Sequence, residues 1–211
     1  MIKIALVDDH QLFRKSLVLL LASFQEIEVV FDTPDGLALL DYAATGQLDM
    51  VLLDIQMPLI DGFDLCKRIK TQFPDCKVLI LSQLTSREAI RQIMEVGADG
   101  FFTKNTSPEL LENAIRSVYN EDYYFDMELS DVIKEALLWD KITSKQTEVL
   151  LSTREIEIVA LAAQEKCSKE IADRLAISSR TVEKHRKHMM EKTQSKNFIG
   201  VILYALKNNL I

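Results

Sequence analysis

Short apolar runs alternate with longer amphipathic segments through the first 119 residues. The runs show no polar alternation, which is typical of strands buried on both faces of a parallel sheet. They predict five strands, at Ile2–Val7, Ile27–Phe31, Met50–Leu53, Lys77–Leu81 and Gly100–Phe102. The segments between and after them repeat apolar residues every three or four positions and predict helices at Leu12–Phe24, Gly36–Ala44, Phe63–Phe73, Glu88–Val96 and Leu110–Val118. This alternation predicts an α/β domain in which helices cover both faces of a parallel sheet.

The same spacing predicts which side of the first two helices faces the sheet. In the first helix it selects Leu12, Phe13, Leu17, Leu20 and Leu21. In the second helix it selects Leu37, Leu40 and Ala44.

The predicted strands lead into polar residues that suit a chemical site. Asp8 and Asp9 follow the first strand, Asp54 follows the third and Ser82 follows the fourth. Lys104 comes shortly after the fifth. Because ligands bind beyond the carboxyl ends of the strands in such sheets, we expect these side chains to lie together at one functional edge.

The chemistry of this group indicates phosphoryl transfer. Neighbouring carboxylates stay ionised at little cost only beside a cation, and oxygen ligands suit Mg²⁺. Lys104 and Ser82 add a positive charge and a hydroxyl that can hold a phosphoryl oxygen. Taken singly, an aspartate at a strand end usually caps a helix, and a lone lysine is usually solvated. Together the residues favour a site in which Asp54 accepts a phosphoryl group.

Three segments resemble the receiver domain of two-component response regulators. They are Val7–Arg14 (VDDHQLFR), Asp54–Pro58 (DIQMP) followed by Gly62, and Gly97–Lys104 (GADGFFTK), with Ser82 before the last. The resemblance implies a flavodoxin-like fold and Asp54 as the phosphoacceptor. It also implies that Asp9 binds Mg²⁺ directly, that Asp8 binds it mostly through water, and that Asp54 and the backbone carbonyl of Gln56 complete the set. Ser82, Phe101 and Lys104 would be the phosphoryl-binding and switch residues.

Two residues in these segments have competing interpretations. The family often has Tyr where Phe101 stands, so Phe101 is either a switch aromatic that lacks one hydrogen bond or simply a buried strand residue. His10 adjoins the acidic residues, but we interpret it as the start of the first helix, as in one subgroup of the family, rather than as a ligand.

A helical region, residues 148–211, follows a linker at 120–147. Three-four spacing over Met127–Trp139 predicts a helix in the linker rather than a loose tether. The later helices are predicted as one capped by Thr153 with Ile156, Val159, Ala160 and Ala163 inward, then Ser168–Leu175, one from Ser179, and the apolar Asn197–Lys207. A short helix, a tight turn and a basic helix form the helix-turn-helix pattern, whose second helix enters the DNA major groove.

The third of these helices divides into a core side and a polar side. Val182 and Met189 share the core side. The opposite side presents donors that can neutralise phosphates and read guanine, namely Thr181, Lys184, Lys187 and His188, together with Glu191. A solvated helix face is the alternative interpretation, but the tight turn before the helix favours DNA binding.

The segments Leu151–Glu157 (LSTREIE), Ser168–Ala172 (SKEIA) and Thr181–His185 (TVEKH) resemble the LuxR-type helix-turn-helix. With the receiver, the chain resembles a NarL/FixJ-type response regulator. The proposed DNA contacts are Thr181, Lys184, His185, Lys187, His188 and Lys192. The family frequently has Lys at the position of Glu183, which puts the base preference in doubt.

Charge supports a division of labour between the two domains. The net charge of −7 combines −6 over residues 1–119 (11 basic, 17 acidic), −4 over 120–147 (3 and 7) and +3 over 148–211 (11 and 8). The acidic total therefore masks a basic C-terminal module. Three scattered cysteines without metal-ligand spacing indicate reduced thiols, and no apolar run is long enough for a membrane span, so we expect a cytoplasmic protein.

These observations predict a response regulator, not an enzyme, in which a histidine kinase or a small phosphodonor phosphorylates Asp54 with Mg²⁺ as cofactor. Phosphorylation would control binding to double-stranded DNA by a homodimer, with the apolar last helix as a plausible dimer face. An aspartate-dependent phosphotransferase or phosphatase is one alternative, but it needs an acid-base residue beside Asp54, which Ile55 and Gln56 do not supply. An interaction module that never accepts phosphate is the other, and the intact acidic set argues against it.

Overall fold

The computed structural model describes residues 1–58, 60–83, 87–121, 124–125, 151–164, 166–208 and 210–211. The strands are β1 (Ile2–Val7), β2 (Ile27–Thr33), β3 (Met50–Asp54), β4 (Lys77–Ser82), β5 (Gly100–Thr103) and β6 (Tyr124–Phe125). The helices among them are α1 (Gln11–Leu21), α2 (Gly36–Ala43), α3 (Gly62–Gln72), α4 (Arg87–Val96) and α5 (Pro108–Glu121). The C-terminal helices are α6 (Thr153–Ala162), α7 (Ser168–Leu175), α8 (Ser179–Thr193) and α9 (Phe198–Lys207).

The strands form one parallel sheet in the order β2-β1-β3-β4-β5-β6. The predicted five-stranded parallel sheet is confirmed. The short strand β6 adds two residues from the segment that we predicted to be linker, and it pairs Tyr124 with Gly100. Because β1 lies between β2 and β3, the connections diverge at the carboxyl ends of β1 and β3, which is where ligands bind in open α/β sheets.

The two faces of the sheet bury different cores. The even-numbered residues of β1 and β3, such as Leu6 and Leu52, pack with α1 and α5. The odd-numbered residues, such as Val7 and Leu53, pack with α2, α3 and α4. Both β1 and β3 are therefore buried on both sides, which explains why their sequences show no polar alternation.

The predicted inward faces of α1 and α2 were partly wrong. Leu12 is 82% exposed and Leu37 is 55% exposed, while α1 buries Arg14, Leu17 and Leu21 and α2 buries Gly36, Leu39 and Ala43. Both helices are apolar on more than one side, so spacing alone could not fix their rotation. In α1 the buried Arg14 occupies part of the inward face, where its guanidinium group contacts Asp8 and Asp32.

Gly62, the first residue of α3, allows the chain to turn back tightly after β3. A Cβ atom at this position would lie 2.3 Å from Ile55 Cα and 2.8 Å from the Asp54 carbonyl oxygen. Only glycine fits such a close approach of two backbone segments. Gly62 thus helps to hold α3 against the end of β3, where Asp54 lies.

The C-terminal helices form a compact module whose N-termini are capped by side chains. Ser152, and not Thr153 as predicted, caps α6: Ser152 and Glu155 form a reciprocal capping box. The predicted inward face of α6 was one residue out of phase, because the helix buries Glu155, Ile158, Val159 and Ala162. The bounds of α7 and the start of α8 agree with the prediction.

The apolar residues of α9 are mostly used within the fold. Phe198, Ile199, Val201, Ile202, Leu203 and Ala205 are all buried. This helix therefore offers less free apolar surface for a dimer than its sequence suggested. The predicted linker helix at Met127–Trp139 lies outside the described residues. Within the described parts of the chain, no helix is long and apolar enough to cross a bilayer.

Candidate functional site

The sheet brings the predicted polar residues together at its carboxyl edge. Asp8 and Asp54 are fully buried, and Ser82 is 1% exposed. Lys104 Nζ lies 2.8 Å from Asp8 Oδ2 and 2.6 Å from Asp54 Oδ2, so a single ammonium group bridges the ends of β1 and β3. The ring of Phe13 lies 4.8 Å from the same ammonium group and closes the apolar side of the pocket.

The other carboxylate oxygens of the pocket differ in their hydrogen-bond partners. The Gln56 N–H donates to Asp54 Oδ1 at 2.9 Å, and the His10 N–H donates to Asp8 Oδ1 at 2.7 Å. Asp9 Oδ1 is buried but accepts no hydrogen bond from any of the described residues. Buried polar atoms are rarely left without a partner. Three carboxylates against one ammonium group leave a net negative charge, so the pocket fits a hard divalent cation such as Mg²⁺.

Burial and pairing act on the two central charges in opposite ways. Burial raises the pKa of Asp54, although the hydrogen bonds from Lys104 and the Gln56 N–H oppose this shift. Burial alone would lower the pKa of Lys104, but the hydrogen bonds to Asp54 and Asp8 outweigh it and the pKa rises. The pair therefore keeps Lys104 charged while the charge on Asp54 remains costly.

Ser82 ends β4, and Phe101 lies within β5, the strand that precedes Lys104. The backbone N–H of Lys104 donates to the backbone carbonyl of Ser82 at 3.1 Å, which places the ends of β4 and β5 side by side. Phe101 is 2% exposed and belongs to the core on the α3 and α4 side. The structure thus shows Phe101 as a buried strand aromatic.

Arg14 is a site residue that the sequence reasoning did not single out. It lies in α1 with only 7% exposure, and its guanidinium group donates to the Asp8 carbonyl oxygen and, through Nε, to Asp32 Oδ2 at 3.1 Å. Hydrogen bonding from Lys15 is the main cause that lowers the pKa of Asp32, with Arg14 adding to it against burial. Arg14 therefore fixes the backbone that carries Asp8 and Asp9. The sequence feature that could have pointed to Arg14 is its place in the VDDHQLFR segment.

The polar face of α8 is open to solvent. Lys184, Lys187 and His188 are exposed, while Thr181 and His185 are partly exposed. Val182 and Met189 on the opposite side are buried, as predicted. Five of the six predicted DNA contacts thus lie on an accessible face of the helix that follows the tight turn.

Lys192, the sixth predicted DNA contact, is used inside the module. Its Nζ lies 2.8 and 3.0 Å from the carboxylate oxygens of Glu155, which is 2% exposed. Although burial would raise the pKa of Glu155, the hydrogen bonds from Lys192 and Ser152 lower it. This ion pair ties the end of α8 to the start of α6.

Glu183 is 45% exposed, but its carboxylate is bonded within the module. Its carboxylate accepts hydrogen bonds from Ser168 Oγ and, at 3.0 Å, from Arg186 Nη1. The Arg186 guanidinium group is buried and lies 4.6 Å from the ring of Phe198. Glu183 therefore connects α7 with α8 directly and with α9 through Arg186, so the departure from the family pattern has a structural explanation within the module.

The two domains meet between the turn before β5 and the start of α9. Asn197 caps α9 by accepting the Gly200 N–H at 2.9 Å, and its Nδ2 donates to the Ala98 carbonyl. Lys196 Nζ donates to the Glu95 carbonyl at 2.8 Å. A cleft of about 770 Å³ beside these contacts has α3 residues on one wall and Glu183, Arg186, Lys187 and Met190 on the other. The receiver-like domain thus adjoins one flank of α8 and leaves Lys184 and His188 exposed.

An α/β domain with an acidic pocket at its switch point, joined to a helix-turn-helix module, defines the class of response regulators. Residues 4–116 match the family described as response regulator receiver domain, and residues 149–205 match the luxR family of bacterial regulatory proteins. The chain belongs to the response regulator family. It is a phosphorylation-regulated transcription regulator with a LuxR-type DNA-binding domain, and it is not an enzyme.

Similar proteins share this architecture over their whole length. The oxygen regulatory protein NreC of Staphylococcus epidermidis is 32% identical over 215 residues, and that of Staphylococcus carnosus is 32% identical over 214, with 99% of each chain covered. The response regulator ChrA of a heme-sensing two-component system is 30% identical with a TM-score of 0.52, covering 100% of this chain and 98% of that one. A Salmonella typhimurium RcsB structure, 22% identical with a TM-score of 0.60 over 96% of this chain and 97% of that one, supports the fold.

We expect Lys104→Met to lower the free energy of unfolding by about 3 kcal/mol in metal-free buffer, because it leaves two buried carboxylates without a cation. The loss should shrink as the pH falls, since protonation of Asp54, whose pKa is already raised, removes part of the buried charge. It should also shrink when millimolar Mg²⁺ is added. Urea denaturation with and without Mg²⁺ measures both effects.

The matched control is Lys15→Met, which removes a more exposed lysine that pairs with Asp32 at 2.9 Å. This change should cost no more than about 1 kcal/mol and should not respond to Mg²⁺. Equal losses for the two variants would show that Lys104 does not compensate the buried carboxylates.

Proposed function

We propose that Asp54 is the residue that accepts the phosphoryl group. The observation that carries the proposal is the Lys104 ammonium group, which contacts both Asp54 and Asp8 at a buried strand edge. Asp54 Oδ2, once released from Lys104, is a nucleophile held at the end of a rigid strand. It attacks phosphorus, the bond between phosphorus and the donor breaks, and the electron pair of that bond leaves with the donor.

The other residues of the pocket each have a role that their positions support. Asp9, whose Oδ1 accepts no hydrogen bond from the described residues, would hold Mg²⁺ directly, and the buried Asp8 would act mostly through water, with Asp54 and the Gln56 carbonyl as further ligands. The ion would supply charge neutralisation for the incoming phosphoryl oxygens. Lys104 moves from the carboxylates to a phosphoryl oxygen, and the Ser82 hydroxyl donates to another.

The phosphoryl donor is a histidine kinase or a small phosphodonor, and the target of the output module is double-stranded DNA. Thr181, Lys184, His185, Lys187 and His188 lie on the exposed face of α8 that enters the major groove. Lys192 pairs with Glu155 and so stabilises the module that carries this face, instead of contacting DNA itself.

The active form is a homodimer, so that two modules engage two half-sites of one operator. Structures of RcsB, a similar protein, are described as dimers bound to DNA. Because α9 buries most of its apolar residues, the dimer surface includes polar positions as well.

The state of the receiver reaches the DNA-binding module through the contact between Ala98 and Asn197. Asp99 fixes this turn, since its Oδ2 accepts the Val78 N–H at 2.7 Å and lies 2.9 Å from Lys70 Nζ. The turn leads directly into β5, which carries Phe101 and precedes Lys104. When phosphorylation draws Lys104 and Ser82 inward, β5 adjusts and the contact with Asn197 weakens.

Asp54→Asn should abolish labelling by radioactive acetyl phosphate in the presence of Mg²⁺, because the amide cannot form the acyl phosphate. Gel autoradiography after incubation measures the label. Asp61→Asn is the matched control, since Asp61 lies in the same loop but caps α3, and it should be labelled like the parent. A variant Asp54→Asn that takes up label like the parent would disprove the site. Parent protein that takes up no label and shows no change on beryllofluoride titration would instead favour an interaction module.

Lys184→Gln and Lys187→Gln should weaken DNA binding in different ways. Lys184 lies opposite the buried side of α8, so its loss should relax sequence preference; Lys187 lies on the flank, where the phosphates run. Losing Lys187 should lower the slope of log affinity against log salt by about 0.9. Fluorescence anisotropy on residues 148–211 with a selected operator measures both.

Lys192→Gln is the matched control for these lysines, because its charge is paired within the module. It should lower the melting temperature but leave the salt slope of the folded protein unchanged. A fragment that binds no DNA at low salt would disprove the assignment of this module.

Asn197→Asp should tighten DNA binding by the unphosphorylated full-length protein. Aspartate caps a helix as well as asparagine does, but it cannot donate to the Ala98 carbonyl and places a carboxylate against it. If the lost contact is worth about 1.4 kcal/mol, affinity should rise by up to roughly tenfold, towards that of residues 148–211 alone. The same substitution within the fragment is the control and should change nothing. Equal effects in both would mean that Asn197 acts within the module and not between the domains.

A further inference from the structure

His10 lies at the acidic pocket in a way that helix capping does not explain. It occupies the N-cap position of α1, but its side chain makes no capping hydrogen bond. The imidazole instead turns towards the carboxylates: Nδ1 lies 2.9 Å from Asp9 Oδ1, 3.4 Å from Asp8 Oδ1 and 3.9 Å from Asp54 Oδ2. The residue interpreted from sequence as a helix start therefore adds a nitrogen donor to the oxygen cluster.

The spacing of these four atoms suits one shared ion. They lie within 4.8 Å of one another. Neighbouring ligands of an octahedral ion, at metal–ligand distances of about 2.1 Å, are separated by about 3 Å. The distance of 2.9 Å between His10 Nδ1 and Asp9 Oδ1 matches that separation.

A simple ion pair between His10 and Asp9 is the competing explanation. Asp9 Oδ1 is buried and lies close to Nδ1, yet it accepts no hydrogen bond from the described part of the chain. Their separation of 2.9 Å allows an ion pair when the imidazole is protonated, and the resonance experiment below distinguishes that pair from a shared metal ion. The imidazole side chain is 62% exposed, so the site stays open to water and to an entering ion.

We propose that His10 Nδ1 is a ligand of the divalent cation in this pocket and that it shifts the selectivity of the pocket from Mg²⁺ towards transition-metal ions. The proposal rests on the proposed function, in which the same pocket holds Mg²⁺. Mg²⁺ takes oxygen ligands and keeps several waters, so it gains little from an imidazole. First-row transition ions accept imidazole nitrogen readily, so they gain more.

Mn²⁺ serves as the probe because pulsed electron paramagnetic resonance detects directly bound ¹⁴N. Full-length parent protein with one equivalent of Mn²⁺ should show the hyperfine coupling of an imidazole nitrogen. His10→Ala should lose this coupling, and its affinity for Ni²⁺, an ion that favours imidazole, should fall on the order of tenfold while that for Mg²⁺ changes little. His188→Ala, which removes an exposed imidazole from the other domain, is the control and should match the parent in both measurements.

Binding of Mn²⁺ by the parent protein without imidazole coupling would overturn the proposal. Coupling that survives in His10→Ala would overturn it as well. Asp9→Ala separates this result from a failure of the proposed function. If Asp9→Ala binds Mn²⁺ as the parent does, the acidic pocket is not the metal site, and both proposals fail. If Asp9→Ala loses Mn²⁺ while His10→Ala keeps the parent ratio of affinities, only the role of His10 is wrong.

Discussion

The buried contact of one ammonium group with two carboxylates is the constraint on which the rest of the receiver depends. Asp8 and Asp54 are removed from water by the sheet and its helices, and the Lys104 ammonium group bridges them. Removing two carboxylates from water costs several kcal/mol each unless cations compensate them. With Asp9 beside them the compensation is incomplete, so the three carboxylates and the Lys104 ammonium group together carry a net negative charge within a rigid fold. A divalent cation and a phosphoryl group change that balance, and the fold must respond.

Several features away from the chemistry serve to maintain this arrangement. Gly62 lets α3 approach the end of β3, and a side chain there would displace the backbone that carries Asp54. Arg14 fixes the Asp8 backbone from the opposite face of the sheet through its bond to the Asp8 carbonyl. Both residues explain departures from simple patterns, since a glycine in a first helical turn and a buried arginine in an amphipathic helix each lower local stability. This loss of local stability is offset because both residues hold the ends of the strands in place.

The convergence of Asp8, Asp54 and Ser82 could be predicted from the sequence, because parallel strands place their carboxyl ends at one edge of the sheet. Rotation of the helices was harder, because Leu12 and Leu37 are apolar residues on the exposed sides of helices that are apolar on more than one side. Contacts across long sequence separations could not be predicted at all. The pairing of Lys192 with Glu155 and the bond from Asn197 to Ala98 depend on how separate elements pack, and no local pattern encodes them.

The arrangement of the two domains bears on how the receiver can control DNA binding. The opposite net charges of the acidic receiver and the basic module favour docking that partly masks the recognition helix. In the structure the cleft runs along the flank formed by Arg186 and Met190, while Lys184 remains exposed. A helix in the major groove has phosphate backbones on both sides. Under the proposed mechanism, a domain at one flank of α8 would obstruct the groove wall and leave the proposed base-reading face preformed, so that weakening the contact of Asn197 would change the affinity for DNA without refolding the module.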